Sequence, residues 1–331
     1  MDNLLDKSVL ATITYYDILD FPLTLLEVFR YLINLNRAEN PRAALGESKG
    51  CPWIGGVLAS LKELEKKGLV EDREGFYFLK GRQKIIQERI KKSKIAEEKR
   101  KKAKKCVFWL QFLPYVEIIF ASGSLALGHT DEESDLDVLV VAKKGRIWLA
   151  RLLLILAASF LGVRRTKYEK IAPDKICLNH FITDGSLHIP FESLYNAQTY
   201  AHVTPLYYRS QIIVAKFYEQ NKWVKKFLPN CDWPPLFQFR TVKTKWTFSV
   251  SKKIVEFILD FFRLSGTLEK LARKLQKSRI DTNLPGRITV SDEQLEFHPY
   301  SVEKDIVEKF NQKISSFGFF DDYKELDSGL K

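Results

Sequence analysis

The chain has 331 residues, 45% of them hydrophobic and 13% aromatic, with a formal net charge of +12. That much apolar material excludes a disordered chain, and the length predicts two or three domains. The charge excess points to an anionic partner and says nothing about fold.

The first 80 residues read as three helices and a hairpin. Leu4, Leu5, Val9, Ile13 and Tyr16 recur at helical spacing. Pro22 interrupts, and Thr24 can cap a second helix holding Leu25, Val28, Phe29 and Leu32. Residues 36–52 are polar and carry Pro and Gly, so a loop is expected there. A third helix turns Val57, Leu58, Leu61 and Leu64 inward, and Gly68 can end it. Leu69–Val70, the polar turn 71–75 and Phe76–Leu79 then make a hairpin. This order resembles a winged-helix domain, which implies DNA binding. The segment is net −2, however, and phosphate contacts need a basic face. A packing module is the expected role.

Residues 81–105 hold 12 basic and 3 acidic residues, so most of the excess charge sits in one predicted linker helix with a thin apolar stripe. An exposed helix between two domains is expected. Further on, the apolar run 147–163 is interrupted by Arg151 and is too short to span a bilayer. A buried helix is expected, with no membrane partner.

Residues 116–145 carry the chemistry. Val116–Ala121 reads as a buried strand, Ser122-Gly123-Ser124 as a turn, and Asp135-Leu136-Asp137 opens a second apolar strand. Residues i and i+2 of a strand share a side, so Asp135 and Asp137 present two carboxylates together. Such like charges repel unless a cation lies between them, and hard divalent ions suit them. A Gly-Ser turn lets backbone N–H groups approach a phosphate closely. Together these are the parts for phosphoryl or nucleotidyl transfer.

The GS pair, the spacer and the Asp-x-Asp resemble the motif of the DNA polymerase beta-like nucleotidyltransferase superfamily. The resemblance implies a mixed α+β fold with a mixed-sheet core. It also implies a nucleoside triphosphate at Gly123 and Ser124, with Mg²⁺, two ions in the active complex, held by Asp135 and Asp137. The family normally adds a third carboxylate from a later strand. The strand Lys175–Thr183 has no acid within it. Asn179 is the nearest polar substitute, Asp174, Asp184 and Glu192 lie outside, and His180 is expected to be a core histidine. Alternation puts Ile176, Leu178, His180 and Ile182 on one face and Cys177, Asn179 and Phe181 on the other.

Residues 190–230 read as aromatic-rich helices, 231–239 as a linker and 245–277 as one or two basic amphipathic helices. His298 beside Pro299 reads as a loop residue. Four widely separated cysteines offer no zinc or dithiol spacing, and a reducing cytoplasm is the expected setting. The N-terminus has acids where a signal peptide needs basic residues, so no leader is expected. The organisation expected is 1–80 winged-helix-like, 81–112 basic linker helix, 113–230 nucleotidyltransferase-like and 231–331 mainly helical. The expected activity moves a nucleoside monophosphate from a triphosphate to an unidentified acceptor hydroxyl. The competing expectation is a catalytically silent nucleotide-sensing regulator. A nucleic-acid partner would meet the basic helices at 81–105 and 240–279.

Overall fold

The computed structural model describes residues 3–35, 53–166, 169, 171–233, 241–243, 246–281, 285–299, 301–318 and 324–325. The expected loop at 36–52 lies outside the described residues, as does most of the expected linker at 231–239.

Helix α1 (Leu4–Ile18) starts at Asn3, whose side chain accepts from the Leu5 N–H. Its residues Ser8–Asp17 are buried, because neighbours pack on every side of it. After β1 (Leu23–Thr24), α2 (Leu25–Arg30) opens with a capping box of Thr24 and Glu27. α3 (Ile54–Lys66) buries Val57, Leu61 and Leu64. β2 (Val70–Arg73) and β3 (Phe76–Leu79) form the hairpin, and β1 completes an antiparallel sheet of order β1-β3-β2. The core of this unit is continuous with one face of the main sheet, running from Val9 through Leu64 to Phe120 and Phe217.

α4 (Ile85–Leu110) departs from the expected exposed linker. It buries Ala96, Lys99, Ala103, Val107 and Leu110 along one side. Small alanines let its backbone approach the sheet layer. The Lys99 ammonium donates to the carbonyls of Glu132 (2.8 Å) and Ser134 (2.7 Å) and pairs with Asp174. Arg100 donates to the Leu125 carbonyl at 3.1 Å. Part of the basic helix therefore braces the loop that leads to Asp135.

The main sheet is six-stranded and mixed, in the order β7-β4-β5-β6-β9-β8. Its strands are β4 (Val116–Ala121), β5 (Leu136–Ala142), β6 (Ile176–Thr183), β7 (Thr204–Tyr208), β8 (Gly286–Val290) and β9 (Gln294–Pro299). Among the described strands, only β5 and β6 run parallel. Between β4 and β5 lies the short α5 (Gly123–Leu127), and between β5 and β6 lies α6 (Ile147–Phe160). β7 corrects the expectation of helices throughout 190–230. Its Pro205 removes a ladder donor, a loss that an edge strand tolerates. α7 (Leu194–Ala201), α8 (Gln211–Gln220) and α9 (Val224–Phe227) flank it.

The two faces of the sheet have separate cores. Ile118, Phe120, Leu139, Val141 and Ile182 pack toward α1, α7, α8 and α12 (Glu303–Ser315). Ile119, Val138, Val140, Leu178 and Phe181 pack toward α4, α6 and α11 (Leu264–Lys277). α10 (Trp246–Phe261) adjoins α11.

Lys252 on α10 is buried and donates to the Val116 carbonyl and to the Tyr207 hydroxyl (3.2 Å). Burial pulls its ammonium down to about 8 from 10.5, although Glu117 and Glu256 help to keep it charged. A lysine lowered in the fold costs stability below its folded pKa. That cost is relieved as pH rises from about 8 to 10.5, because the unfolded chain then holds more protons. Relative to a Lys252→Met variant, the wild type should therefore gain about 3 kcal/mol in urea unfolding across that window.

Candidate functional site

The site forms where β4 ends and β5 begins. β4 is buried throughout and hands the chain to Ser122, the residue at the start of α5, whose side chain makes no capping bond. The Ser122 N–H donates to the Asp137 carbonyl at 3.0 Å, which joins the turn to β5. Gly123 has φ +55, and a Cβ there would lie 2.7 Å from Asp137 Oδ2. The glycine is needed twice, for the left-handed backbone and for the approach of the carboxylate. Gly123→Ala should cost about 1–2 kcal/mol in thermal or urea unfolding, the strain of a left-handed alanine.

Asp135 directly precedes β5, and Asp137 is on it. Their carboxylates lie with the Cys177 thiol in a cluster whose ligand atoms are within 4.8 Å of one another. Burial first, and the neighbouring Asp135 second, push the Asp137 carboxyl well above its ordinary value. Arg165 answers part of this charge, its Nη1 lying 2.5 Å from Asp135 Oδ2. Burial, with Asp137 and Asp135 behind it, raises the Cys177 thiol and keeps it protonated. The donors offered are thus two carboxylates beside a thiol, and the carboxylates suit a hard cation.

The expected alternation along β6 fails. Asp137 pairs with Cys177, but Leu139 pairs with His180, so β6 carries one extra residue between them. Such a bulge reverses the parity of the residues beyond it. Ile176, Leu178 and Phe181 therefore share one core, while Ile182 joins the opposite one. Asn179 falls in this irregular stretch, and Cys177 is the residue opposite Asp137. Asp174, Asp184 and Glu192 bond elsewhere: to Lys99, to the Lys144 N–H and to Lys226.

His180 is 4% exposed, and burial lowers its pKa to about 4, so it is a neutral core histidine. Its Nδ1 lies 3.3 Å from the Tyr200 hydroxyl.

Residues that local reading missed come from β8 and β9. β9 pairs with β6, placing Glu296 opposite His180, and β8 places Arg287 opposite His298. Paired residues share a sheet face, so Asp137, Cys177, His180, Glu296, His298 and Arg287 form one polar band. His298 is therefore on a strand and not in a loop, with Nδ1 3.0 Å from Glu296 Oε1. It lies close enough to Asp137 that a proton gained there would favour that carboxylate. Burial pushes the Glu296 carboxyl up, but His180, His298 and Arg287 outweigh it and hold it at about 2. The alternation Leu295, Glu296, Phe297, His298 was the available signal for a strand with one polar face. Arg165 had no local signal beyond its basic neighbours.

No protein-family model, curated protein or solved structure matches this chain.

Proposed function

We propose that this chain is a Mg²⁺-dependent nucleotidyltransferase that moves a nucleoside monophosphate from a nucleoside triphosphate to an acceptor hydroxyl. The observation that carries this reading is the Asp135–Asp137 pair lying against a glycine that only a missing Cβ allows so close. The raised Asp137 carboxyl supports a cation there, since buried like charges favour one between them. Asp135 and Asp137 would hold the ions, which when bound supply charge neutralisation at the reacting phosphates. Gly123 and Ser124 would seat the outer phosphates.

The acceptor oxygen bonds to the α-phosphorus, the bond to pyrophosphate breaks, and the hydroxyl proton must leave. Cys177, a protonated thiol, cannot take it. His298 is the group of the polar band suited to do so, with Nδ1 turned to Glu296 and Nε2 left to act. A His298→Gln variant should lose transfer by about 10²-fold while keeping its nucleotide affinity. Equal rates for variant and wild type would remove that role.

The first 80 residues fit a winged-helix-like packing module. Lys67 at the third helix's end pairs with Asp6 and Glu63, and Lys66 with Glu63, so acids are interleaved with the basic residues there. The thiol opposite Asp137 favours a second reading, a nucleotide-sensing regulator without turnover. The deciding experiment incubates the full chain with α-labelled nucleoside triphosphates, Mg²⁺ and candidate acceptors. Label transfer supports the enzyme, and Mg²⁺-dependent nucleotide binding without transfer supports the regulator. Failure to bind any nucleotide would overturn both.

A further inference from the structure

Helices α10 and α11 carry their polar residues inward and their apolar residues outward. On α10, Glu256 accepts from Arg209 (2.8 Å) and from the Tyr115 N–H (2.8 Å), and Asp260 meets Lys143 and Arg146. On α11, Glu269 accepts from the N–H groups of Trp148 (3.0 Å) and Leu149 (2.8 Å). Gln276 donates to the Trp148 carbonyl at 2.7 Å. Polar bonds thus carry much of the attachment of this hairpin to the body.

Its outer face is apolar. Ile254, Phe257, Ile258 and Phe261 are exposed on α10, with Phe257 at 67% and Phe261 at 68%. Leu264, Leu268, Leu271 and Leu275 are exposed on α11 at a spacing that lines one face. Phe160, at the end of the neighbouring α6, is 93% exposed. At about 150–250 Å² per large aromatic, the surface presented is on the order of 1,000 Å². Monomeric soluble proteins rarely leave so much apolar surface contiguous.

The exposed charge on these helices is mostly basic, with Arg273 met by an outside acid, Asp292. Residues 240–279 hold 11 basic and 3 acidic residues. The three acids are Glu256, Asp260 and Glu269, all engaged inward as above. Lys253, Lys270, Lys274, Lys277 and Arg279 are exposed. A second copy would bring like charge against like, whereas anionic headgroups supply the opposite sign beside acyl chains that accept Phe and Leu.

We infer that the outer face of α10 and α11 docks on a bilayer surface containing anionic lipid. No helix among the described residues is long and apolar enough to cross a membrane, so the helices would lie in the interface. The layer belongs to the sheet face opposite Asp137, so docking leaves the Asp135–Asp137 site accessible.

Flotation of the full chain with lipid vesicles tests this. The protein should float with phosphatidylcholine vesicles that contain phosphatidylglycerol, not with phosphatidylcholine alone, and should be released as salt rises. Phe257→Ser with Phe261→Ser should weaken partitioning at least tenfold without lowering Tm, since both rings are exposed. Lys270→Glu with Lys277→Glu should do the same through charge, at roughly tenfold or more. Failure of the wild type to float with the anionic vesicles would overturn the inference, as would undiminished binding by the phenylalanine variant. A wild-type dimer that the phenylalanine variant converts to a monomer, without vesicle binding by either, would assign the face to a second copy instead.

Discussion

Replacing Asp137 with Asn should lower nucleotidyl transfer by on the order of 10³-fold and leave the ligand-free protein at least as stable as wild type. The two effects have one cause. Burial and the nearby Asp135 raise the Asp137 carboxyl, so at neutral pH its ionised form costs the fold free energy. Asparagine keeps the shape and removes that cost, but it also removes a charge that the cation site needs. Transfer assays and urea unfolding of the same preparation check this. A variant that loses activity through collapse of the fold would show a lower unfolding midpoint, and one with wild-type transfer would sink the site assignment. Asp135→Asn should lose activity as severely, with a smaller gain in stability, because Arg165 pairs with Asp135 at 2.5 Å in the resting fold.

Arg287→Ala should destabilise the protein by about 3–5 kcal/mol, among the largest single-residue effects expected here. Arg287 is 7% exposed and meets two carboxylates that are more deeply buried, Glu303 at 0% and Glu296 at 1%. Its Nη1 also donates to Asn196 Oδ1 at 3.1 Å, and its guanidinium lies over the Phe191 ring. Removing the cation leaves two buried acids facing each other across a gap, with His298, Gln294 and Ser193 among their neighbours. Lysine should not rescue, since one ammonium cannot reproduce a planar fork shared among three acceptors. Chemical unfolding would check the size, and a loss below about 1 kcal/mol would show that water reaches these acids. Because Glu296 orients His298, a folded Arg287 variant should also show reduced transfer.

Much of the candidate site was legible because it is local. Two carboxylates two residues apart at the mouth of a strand share a side by strand geometry alone. The demand for Gly123 could likewise be anticipated from the turn between strands, and the left-handed backbone supplies its reason. The capping box at Thr24, the stop at Gly68 and the hairpin over 69–79 are equally short-range. Segments whose fate depends on distant partners are not legible in this way. The strand at Thr204–Tyr208 reads as helix, because its aromatics fit either period and its place on the edge of β4 is set some 90 residues away. The basic composition of the linker helix predicts exposure. Lys99 is nonetheless buried, since three acceptors before β6 meet its ammonium, two of them on the loop leading to Asp135.

The sequence by itself determined the mixed α/β character, the carboxylate pair and its glycine turn, and the absence of a span among the described helices. Tertiary structure alone decided what surrounds that pair. The register of β6 against β5 set a thiol opposite Asp137, and a single extra residue beyond that thiol reversed the parity of the strand and brought His180 to the same face. The pairing of β9 with β6 then carried Glu296 and His298 some 160 residues along the chain to the same face. Side-chain alternation is a property of one strand, but register is a property of two, and no local pattern contains the second strand. The net charge of +12 resolved in the same way. Composition registered only its sum, and the fold directs part of it to Asp174, Glu256 and the loop before Asp135 while leaving the rest around an apolar surface.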